Sequence, residues 1–537
     1  MNKTDAQSID TVETQRLQTQ YQLDERKNQV ERNQLGQFAT PPGLATDILA
    51  YAKALISPAS PIRFLDPAFG TGSFYTALLR SFPPAQIAQA WGYEIDPYYG
   101  EEAKKLWSNT PLKLSIADFT RAKPPSSNDD RANLLICNPP YVRHHHLAAD
   151  EKLRLQMITR QLTGLKLSGL AGLYCYFLLL AHSWLADGGL AGWLIPSEFM
   201  DVNYGKQVKQ YLQQHVTLLH IHRFSPDDIK FEDALVSSTV VWYKKEKPPA
   251  NHRVEFSYGG ELTKPKMSQL VSMDTLEWLV KWTSLPKTSS NSMPHNLSPI
   301  NAHLTPKLSD LFNIKRGLVT GANKFFILEP EQISENKLPA EFLSPILPSP
   351  RYLLNDEFAA DENGNPYLDK RLFLLTCNLS EDQVQRLYPL LWKYLQSGVR
   401  QGLPNRYLCR HRTPWYAQEN RPAAPLLCTY MGRQAARGNR PFRFILNHST
   451  ATAPNVYLML YPKPTLAAAI KGTPTLLRAI WQALNQIPPE TLMGEGRVYG
   501  GGLHKIEPNE LANTPADSIL AILPELSESR VKQLSLF

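Results

Sequence analysis

Leu134-Leu135-Ile136-Cys137-Asn138-Pro139-Pro140-Tyr141 is the stretch whose reading decides the fold. Four apolar residues cut off by two prolines predict a short strand buried on both faces, as in a parallel sheet. Such sheets present their chemistry at the carboxyl ends of their strands, where this tetrapeptide falls. Two successive prolines fix φ and lack N–H donors, so the backbone after Asn138 is stiff and rich in carbonyls. Asn138 adds an amide oxygen and Tyr141 a flat ring. The set suits accepting hydrogen bonds from an exocyclic amine while a ring stacks on the base that carries it. The plainer alternative is a proline turn after a strand.

Working outward, short apolar runs alternate with helical ones. Phe64-Leu65 leads into Asp66-Pro67-Ala68-Phe69-Gly70-Thr71-Gly72 and a helix through 79. Residues 91–93 lead into Glu94-Ile95-Asp96 and a helix over 100–107, and 112–116 lead into Ala117-Asp118-Phe119. A helix over 173–185, a Gly188-Gly189 turn and a strand over 191–195 continue the pattern, and 237–243 reads as a terminal strand. Strands alternating with helices predict right-handed βαβ units and an α/β fold with a parallel sheet.

The first three predicted strands end on an acid and the fourth on the Asn-Pro-Pro-Tyr turn. Gly70-Thr71-Gly72 lacks the third glycine of a pyrophosphate-binding loop, since Phe74 and Tyr75 follow, and the chain has no phosphate-binding G-x-x-x-x-G-K-[ST]. A smaller cofactor against the glycine backbone is the remaining reading. Glu94 is placed to accept from both hydroxyls of a ribose, and Asp118 from an adenine amine with Phe119 beside the ring. Each acid alone also reads as a solvated strand end.

The order Gln37-Phe38-Ala39-Thr40-Pro41, then Asp66 to Gly72, then Asn138 to Tyr141 resembles the gamma group of N6-adenine DNA methyltransferases of type II restriction–modification systems. The resemblance covers roughly 35–245 with specific motifs and the C-terminal part more loosely. It implies a Rossmann-like S-adenosylmethionine-dependent methyltransferase sheet with helices on both faces, plus a separate mixed α+β DNA-recognition domain. It implies that Thr40, Asp66, Ala68, Gly70, Gly72, Glu94, Asp118, Phe119 and Asn138 line the S-adenosyl-L-methionine site. It further implies that Asn138, Pro139, Pro140 and Tyr141 hold a flipped adenine, with Phe231 as a second aromatic contact and Phe224 its rival.

The rest of the chain sets bounds. With 537 residues, two or three domains are expected; the net charge of +8 is compatible with a polyanionic partner. Five scattered cysteines without a C-x-x-C pair argue against a zinc site or disulfide framework and for a reducing, cytoplasmic setting. The apolar run 170–186 is interrupted by His182 and too short for a membrane span. Thr40 before Pro41 has the form of a helix N-cap. His144-His145-His146 invites a metal reading, but three consecutive histidines cannot all face one ion. With Arg143 they fit a phosphate-contacting loop better.

The expected organisation is a polar helix or disordered extension over 1–33, a catalytic domain over 34–245, a connector over 246–305 and a recognition domain over 306–537. Between 391 and 450 arginine is abundant, with Trp415, Tyr416 and Tyr430 interleaved. Lys315, Arg316, Arg412, Arg433, Arg443 and Lys505 are the expected DNA contacts beside Arg143. The expected partners are double-stranded DNA, bound by a monomer, and a cognate endonuclease acting separately. A methyltransferase for a protein glutamine amide or RNA, and a catalytically silent DNA-binding protein on this scaffold, are the alternatives. The first is usually shorter, and the intact acids argue against the second.

Overall fold

A computed structural model describes residues 3–27, 31–32, 35–225, 238–279, 281–286, 306–433, 440–499 and 502–523. The chain divides into two units, Met1–Ser292 and Met293–Phe537.

In the first unit, β1 (Ile62–Asp66), β2 (Ile87–Glu94), β3 (Leu112–Ile116), β4 (Ala132–Cys137) and β5 (Leu185–Pro196) run parallel. They are joined by β6 (Thr217–Arg223), β7 (Ser238–Lys244), β8 (Arg253–Gly260) and β9 (Pro265–Ser272) in one nine-stranded sheet of order β3-β2-β1-β4-β5-β7-β6-β8-β9. β7 is antiparallel to both β5 and β6. This is the Rossmann-like methyltransferase sheet with two strands added at one edge.

Alternation along the strands builds two cores. Phe64 of β1 and Leu134 and Ile136 of β4 pack on helices Pro42–Leu55 and Ser73–Ser81; Leu65, Leu135 and Cys137 face helices Leu173–Leu180 and Lys206–Gln214. All six strand residues are essentially inaccessible to solvent. Burying a side chain of that size stabilises by about 1.5–3 kcal/mol. Leu173–Leu180 (LYCYFLLL) is buried almost all round, which explains its lack of a polar face.

Three expectations change. The strand expected to be terminal, β7, lies inside the sheet. β6, with its buried His220 and His222, sits beside it. Residues expected as connector supply β8 and β9, so the sheet continues to Ser272. Residues Lys3–Arg26, within the stretch expected as a polar helix or disordered extension, form a helix that docks with Glu13, Arg16 and Leu23 buried.

The second unit has a five-stranded sheet built from Phe312–Arg316, Tyr457–Pro462, Leu426–Thr429, Phe444–Asn447 and Glu357–Phe358, in that order. All pairings but the last are antiparallel. Helices such as Thr475–Gln486 bury Ile480 and Leu484 against it. A second core around Phe325, Phe326, Leu391 and Trp415 belongs to the helical part. No helix among the described residues is long and apolar enough to cross a membrane.

Candidate active site

The strand order reverses between β1 and β4, because β2 and β3 lie on one side and β4 and β5 on the other. The carboxyl ends flanking that switch point open onto a cavity of about 850 Å3 in the first unit. It falls within the range of roughly 300–1,000 Å3 typical of small-molecule sites. Ala68, Gly70, Glu94, Asp118, Phe119 and Asn138 all line it, as do Gln37, Phe38 and Ala39.

The glycine turn is built by backbone geometry. Gly70 and Gly72 have φ of 57° and 97°, and a Cβ on Gly72 would lie 2.6 Å from the Trp107 indole nitrogen. That indole donates to the Thr71 carbonyl at 2.9 Å, so helix Pro97–Leu106 and its following tryptophan brace the loop. Glu94 accepts from the N–H of Gly70 (2.8 Å) and of Asp96 (2.9 Å), one bond to each carboxylate oxygen. It ties the loop to the end of β2, and each oxygen retains a lone pair for a ligand. Asp118 accepts from the backbone N–H and the hydroxyl of Thr120, both at 2.8 Å. Phe119 is buried beside Tyr93, Phe177 and Trp184.

Asp66 is 1% exposed and accepts from the Ala68 N–H at 3.1 Å. Burial, with the neighbouring Glu94 charge adding to it, pushes its carboxyl up to about 8. Its unfolded value is about 3.9, so folding takes up a proton between roughly pH 4 and 8 and stability falls as pH rises through that window. Asp66→Asn is therefore expected to melt above the wild type at pH 8, with the gap closing towards pH 4. Melting curves across that range check it, and a constant gap would contradict the assignment.

Asn138 has the most informative environment. Its amide nitrogen donates to the Phe38 carbonyl (3.0 Å) and to the Thr40 hydroxyl (3.1 Å). A carbonyl can only accept, so these contacts fix which end of the amide is nitrogen. The oxygen then faces the other way; it is buried and has no hydrogen-bond partner among the described residues. Thr40 is thus not the helix cap that its position suggests: helix Pro42–Leu55 has Pro41 at its N-cap, and the Thr40 hydroxyl serves Asn138 instead. Tyr141 is buried, its hydroxyl donating to the Leu194 carbonyl at 3.1 Å and its ring centroid 5.7 Å from that of Phe38. Its N–H donates to the Gly36 carbonyl at 3.2 Å. The Cys137 thiol is buried and its pKa is pushed well up by that burial, which suits a packing role.

Carboxylates dominate the cavity wall. Asp24, Glu94, Asp96, Asp118, Asp150 and Glu151 line it against Lys27 and Arg121. In a chain of net charge +8 this local acidity disfavours a phosphate-bearing cofactor and suits a cationic one.

Similarity to known proteins agrees with this geometry. The Eco57I restriction-modification methylase family model matches residues 93–229, and the model of the C-terminal domain of the type II methyltransferase M.Eco57I matches residues 280–535. The type II methyltransferase M.AccI of Acinetobacter calcoaceticus is 26% identical over 498 residues, covering 89% of this chain and 85% of that protein. Over most of its length the chain is similar to type II restriction–modification methyltransferases. A second relative, M.XamI of Xanthomonas campestris pv. amaranthicola, is 27% identical over 486 residues, covering 89% and 84% of the two chains. Among solved structures, the type IIL restriction-modification enzyme MmeI in complex with DNA is similar with a TM-score of 0.48 and 13% identity, over 84% of this chain and 67% of that one.

Other expected site residues fall differently. Phe231 lies outside the described residues, whereas its rival Phe224 is buried, with its ring against His222. Arg143 is exposed, and His144–His146 form one short turn after it. Among the described residues there is no cluster of three or more metal-ligating side chains. In the second unit Lys315, Arg316 and Arg433 are exposed. Lys505 pairs with Glu507 at 2.7 Å, and both Arg316 and Lys505 lie over the Tyr430 ring. Arg412 and Arg443 are half-buried. Arg412 donates to the Val319 and Thr320 carbonyls and to Gln418. Arg443 pairs with Asp356 and donates to the carbonyls of Pro350 and Leu353. Both guanidinium groups are committed to holding loops, because an arginine fork matches clustered carbonyls as well as it matches phosphate.

Proposed function

We propose that the protein transfers a methyl group from S-adenosyl-L-methionine to the N6 amino group of a flipped-out adenine in duplex DNA, as the protective half of a restriction–modification system. The observation that carries this is the buried, unpartnered amide oxygen of Asn138 beside an acid-lined cavity at the sheet's switch point. A buried acceptor left without a donor costs free energy unless a ligand supplies one.

The residues fit the cofactor. Glu94 would hold the ribose, Asp118 and Phe119 the adenine ring, and the glycine turn with Asp66 and Ala68 the remainder. When bound, S-adenosyl-L-methionine supplies an electrophilic methyl on a sulfonium. The protein's own part is to make a poor nucleophile competent. An adenine amine has its lone pair delocalised into the ring. The Asn138 amide oxygen and the Pro139 carbonyl accept hydrogen bonds from its two N–H groups, draw the nitrogen towards sp3 geometry and free the lone pair. Tyr141, pinned through its hydroxyl to β5, offers a ring that holds the base and favours the positive charge developing during transfer. No protein nucleophile or metal is required. An adenine stacked in a duplex cannot reach such a pocket, so base flipping follows.

The second unit is proposed as the target-recognition domain, with Lys315, Arg316, Arg433 and Lys505 on phosphate or base edges and Arg143 contributing from the first. A cognate endonuclease acting separately on the same site is the partner this reading implies. Arg433→Ala is expected to weaken DNA binding and lower the slope of log K against log salt by about 1, one phosphate contact. Arg443→Ala is expected instead to lower the melting temperature, through loss of its Asp356 pair, with the slope unchanged. Salt titrations and melts of both variants separate the two roles.

The deciding experiment is incubation with unmethylated genomic DNA and labelled S-adenosyl-L-methionine, followed by modified-base analysis and sequencing. Label in N6-methyladenine at one short motif is the expected result. Label on protein or RNA alone would overturn the substrate.

A further inference from the structure

We infer that the N-terminal helix Lys3–Arg26, continuing into Lys27, is a wall of the cofactor site that clamps the glycine turn and carries part of the cofactor affinity. The inference rests on the reading of the cavity as an S-adenosyl-L-methionine site. It starts from an anomaly of patterning. A helix docked on a protein normally turns an apolar stripe inward. Here the inward stripe is mostly polar: beside Val12 and Leu23, Glu13, Arg16, Gln20, Asp24 and Lys27 recur at spacings of three and four and so share one face.

All of them but Glu13 touch the glycine turn or the cavity wall, and Glu13 holds Arg16 in place. Arg16, 1% exposed, is gripped by both carboxylate oxygens of Glu13 at 2.7 Å. It donates to the Thr71 hydroxyl at 3.0 Å, and that hydroxyl donates to Gln20 at 2.7 Å. Thr71 stands between Gly70 and Gly72, so two helix residues hold the middle of the glycine turn. Burying a guanidinium is costly unless it is fully paired, and a purely structural helix would be better docked by leucines. Further along, Asp24 accepts from the Tyr99 hydroxyl at 2.8 Å, and Lys27 pairs with Asp96, lying 4.9 Å from the Tyr99 ring centroid. Gln37 donates to the same Asp96 carboxylate at 2.9 Å. Asp96 is the residue whose N–H binds Glu94, so the helix also reaches the ribose side of the site. Gln20, Asp24 and Lys27 themselves line the cavity. Their contribution suits a cationic adenosyl sulfonium: an amide and a carboxylate on the wall, with the one lysine neutralised by Asp96.

The test uses the full-length chain and S-adenosyl-L-methionine itself. Gln20→Leu combined with Lys27→Met removes two half-buried polar groups from the wall. Thr71→Val cuts the clamp without emptying its space. Cofactor Kd is measured by calorimetry, with KM and kcat on DNA and a melting curve. Both variants are expected to raise Kd and cofactor KM, the double variant by about tenfold. The kcat at saturating cofactor is expected to stay near the wild-type value, and Thr71→Val, which leaves the buried Arg16 one partner short, is expected to melt lower than the double variant. Kd and KM unchanged in both variants would overturn the inference and leave the helix a structural appendage. Absence of any heat from the wild type would overturn the cofactor reading itself, and this inference with it.

Discussion

Asn138→Ala is expected to abolish methyl transfer while leaving the affinity for S-adenosyl-L-methionine within a few-fold of the wild type. Two losses combine. The first is the acceptor: removing one preorganised hydrogen-bonding group aimed at a developing charge costs about 10²–10³-fold in turnover. The second is the anchor, since the same amide nitrogen ties the turn to the Phe38 carbonyl and the Thr40 hydroxyl. Loosening a reacting group by about 1 Å costs a further factor on the order of 10². The cofactor's proposed contacts at Gly70, Glu94 and Asp118 do not run through Asn138, so binding heat should persist. Asn138→Asp makes the two losses separable. It keeps an acceptor towards the cavity but turns a second oxygen against the Phe38 carbonyl, and an intermediate rate is expected. Turnover with labelled cofactor, alongside calorimetry, reads both variants. Wild-type turnover in the alanine variant would remove the turn from the chemistry altogether.

The sequence made the centre of this molecule legible because local signals there have single causes. Strands buried on both faces have to be short apolar runs, and β1 and β4 read as such. Glycines at positive φ followed by a helix mark a turn at a strand end, and Gly70 and Gly72 obey that rule. What escaped the sequence depends on partners far away in the chain. Thr40 looks like a cap until Asn138, 98 residues on, takes its hydroxyl. β6 carries histidines at buried positions, since His220 and His222 both meet the Ser257 hydroxyl of β8, a satisfaction no local window reveals. Arginines that stand out by composition divide into exposed Arg433 and inward-facing Arg412 and Arg443, and only the carbonyls and the carboxylate around them distinguish the two fates. The N-terminal helix is the sharpest case. Its polar stripe resembles a solvated segment, because inward polarity and outward polarity have the same periodicity.

Gly36 was equally silent in the sequence, yet replacing it is expected to have the second largest effect on activity. Its φ is +65°, and a Cβ there would lie 2.3 Å from the Tyr141 nitrogen and 2.8 Å from the Val142 nitrogen. Those neighbours are backbone atoms of the Asn-Pro-Pro-Tyr turn and the residue after it, so no rotamer change relieves the clash. The left-handed conformation itself costs an L-residue roughly 1–2 kcal/mol. Gly36→Ala has therefore to push the segment before helix Pro42–Leu55 away from the turn, stretching the bond from the Tyr141 N–H to the Gly36 carbonyl. That segment also holds Phe38 and Thr40, the two partners of the Asn138 amide, so the acceptor is re-aimed as well. A displacement near 1 Å predicts a fall in turnover on the order of 10²-fold. Because Gly36 lines the cavity, a raised cofactor KM is expected too. Gly43→Ala is the matched control, seven residues on in the first turn of helix Pro42–Leu55. A Cβ on Gly43 meets nothing within 4 Å, and alanine inside a helix is favoured over glycine by up to about 1 kcal/mol. It is expected to keep wild-type turnover and to melt no lower than the wild type. Equal turnover for the two variants would mean that the contact between Gly36 and Tyr141 is absent from the form that carries out the reaction.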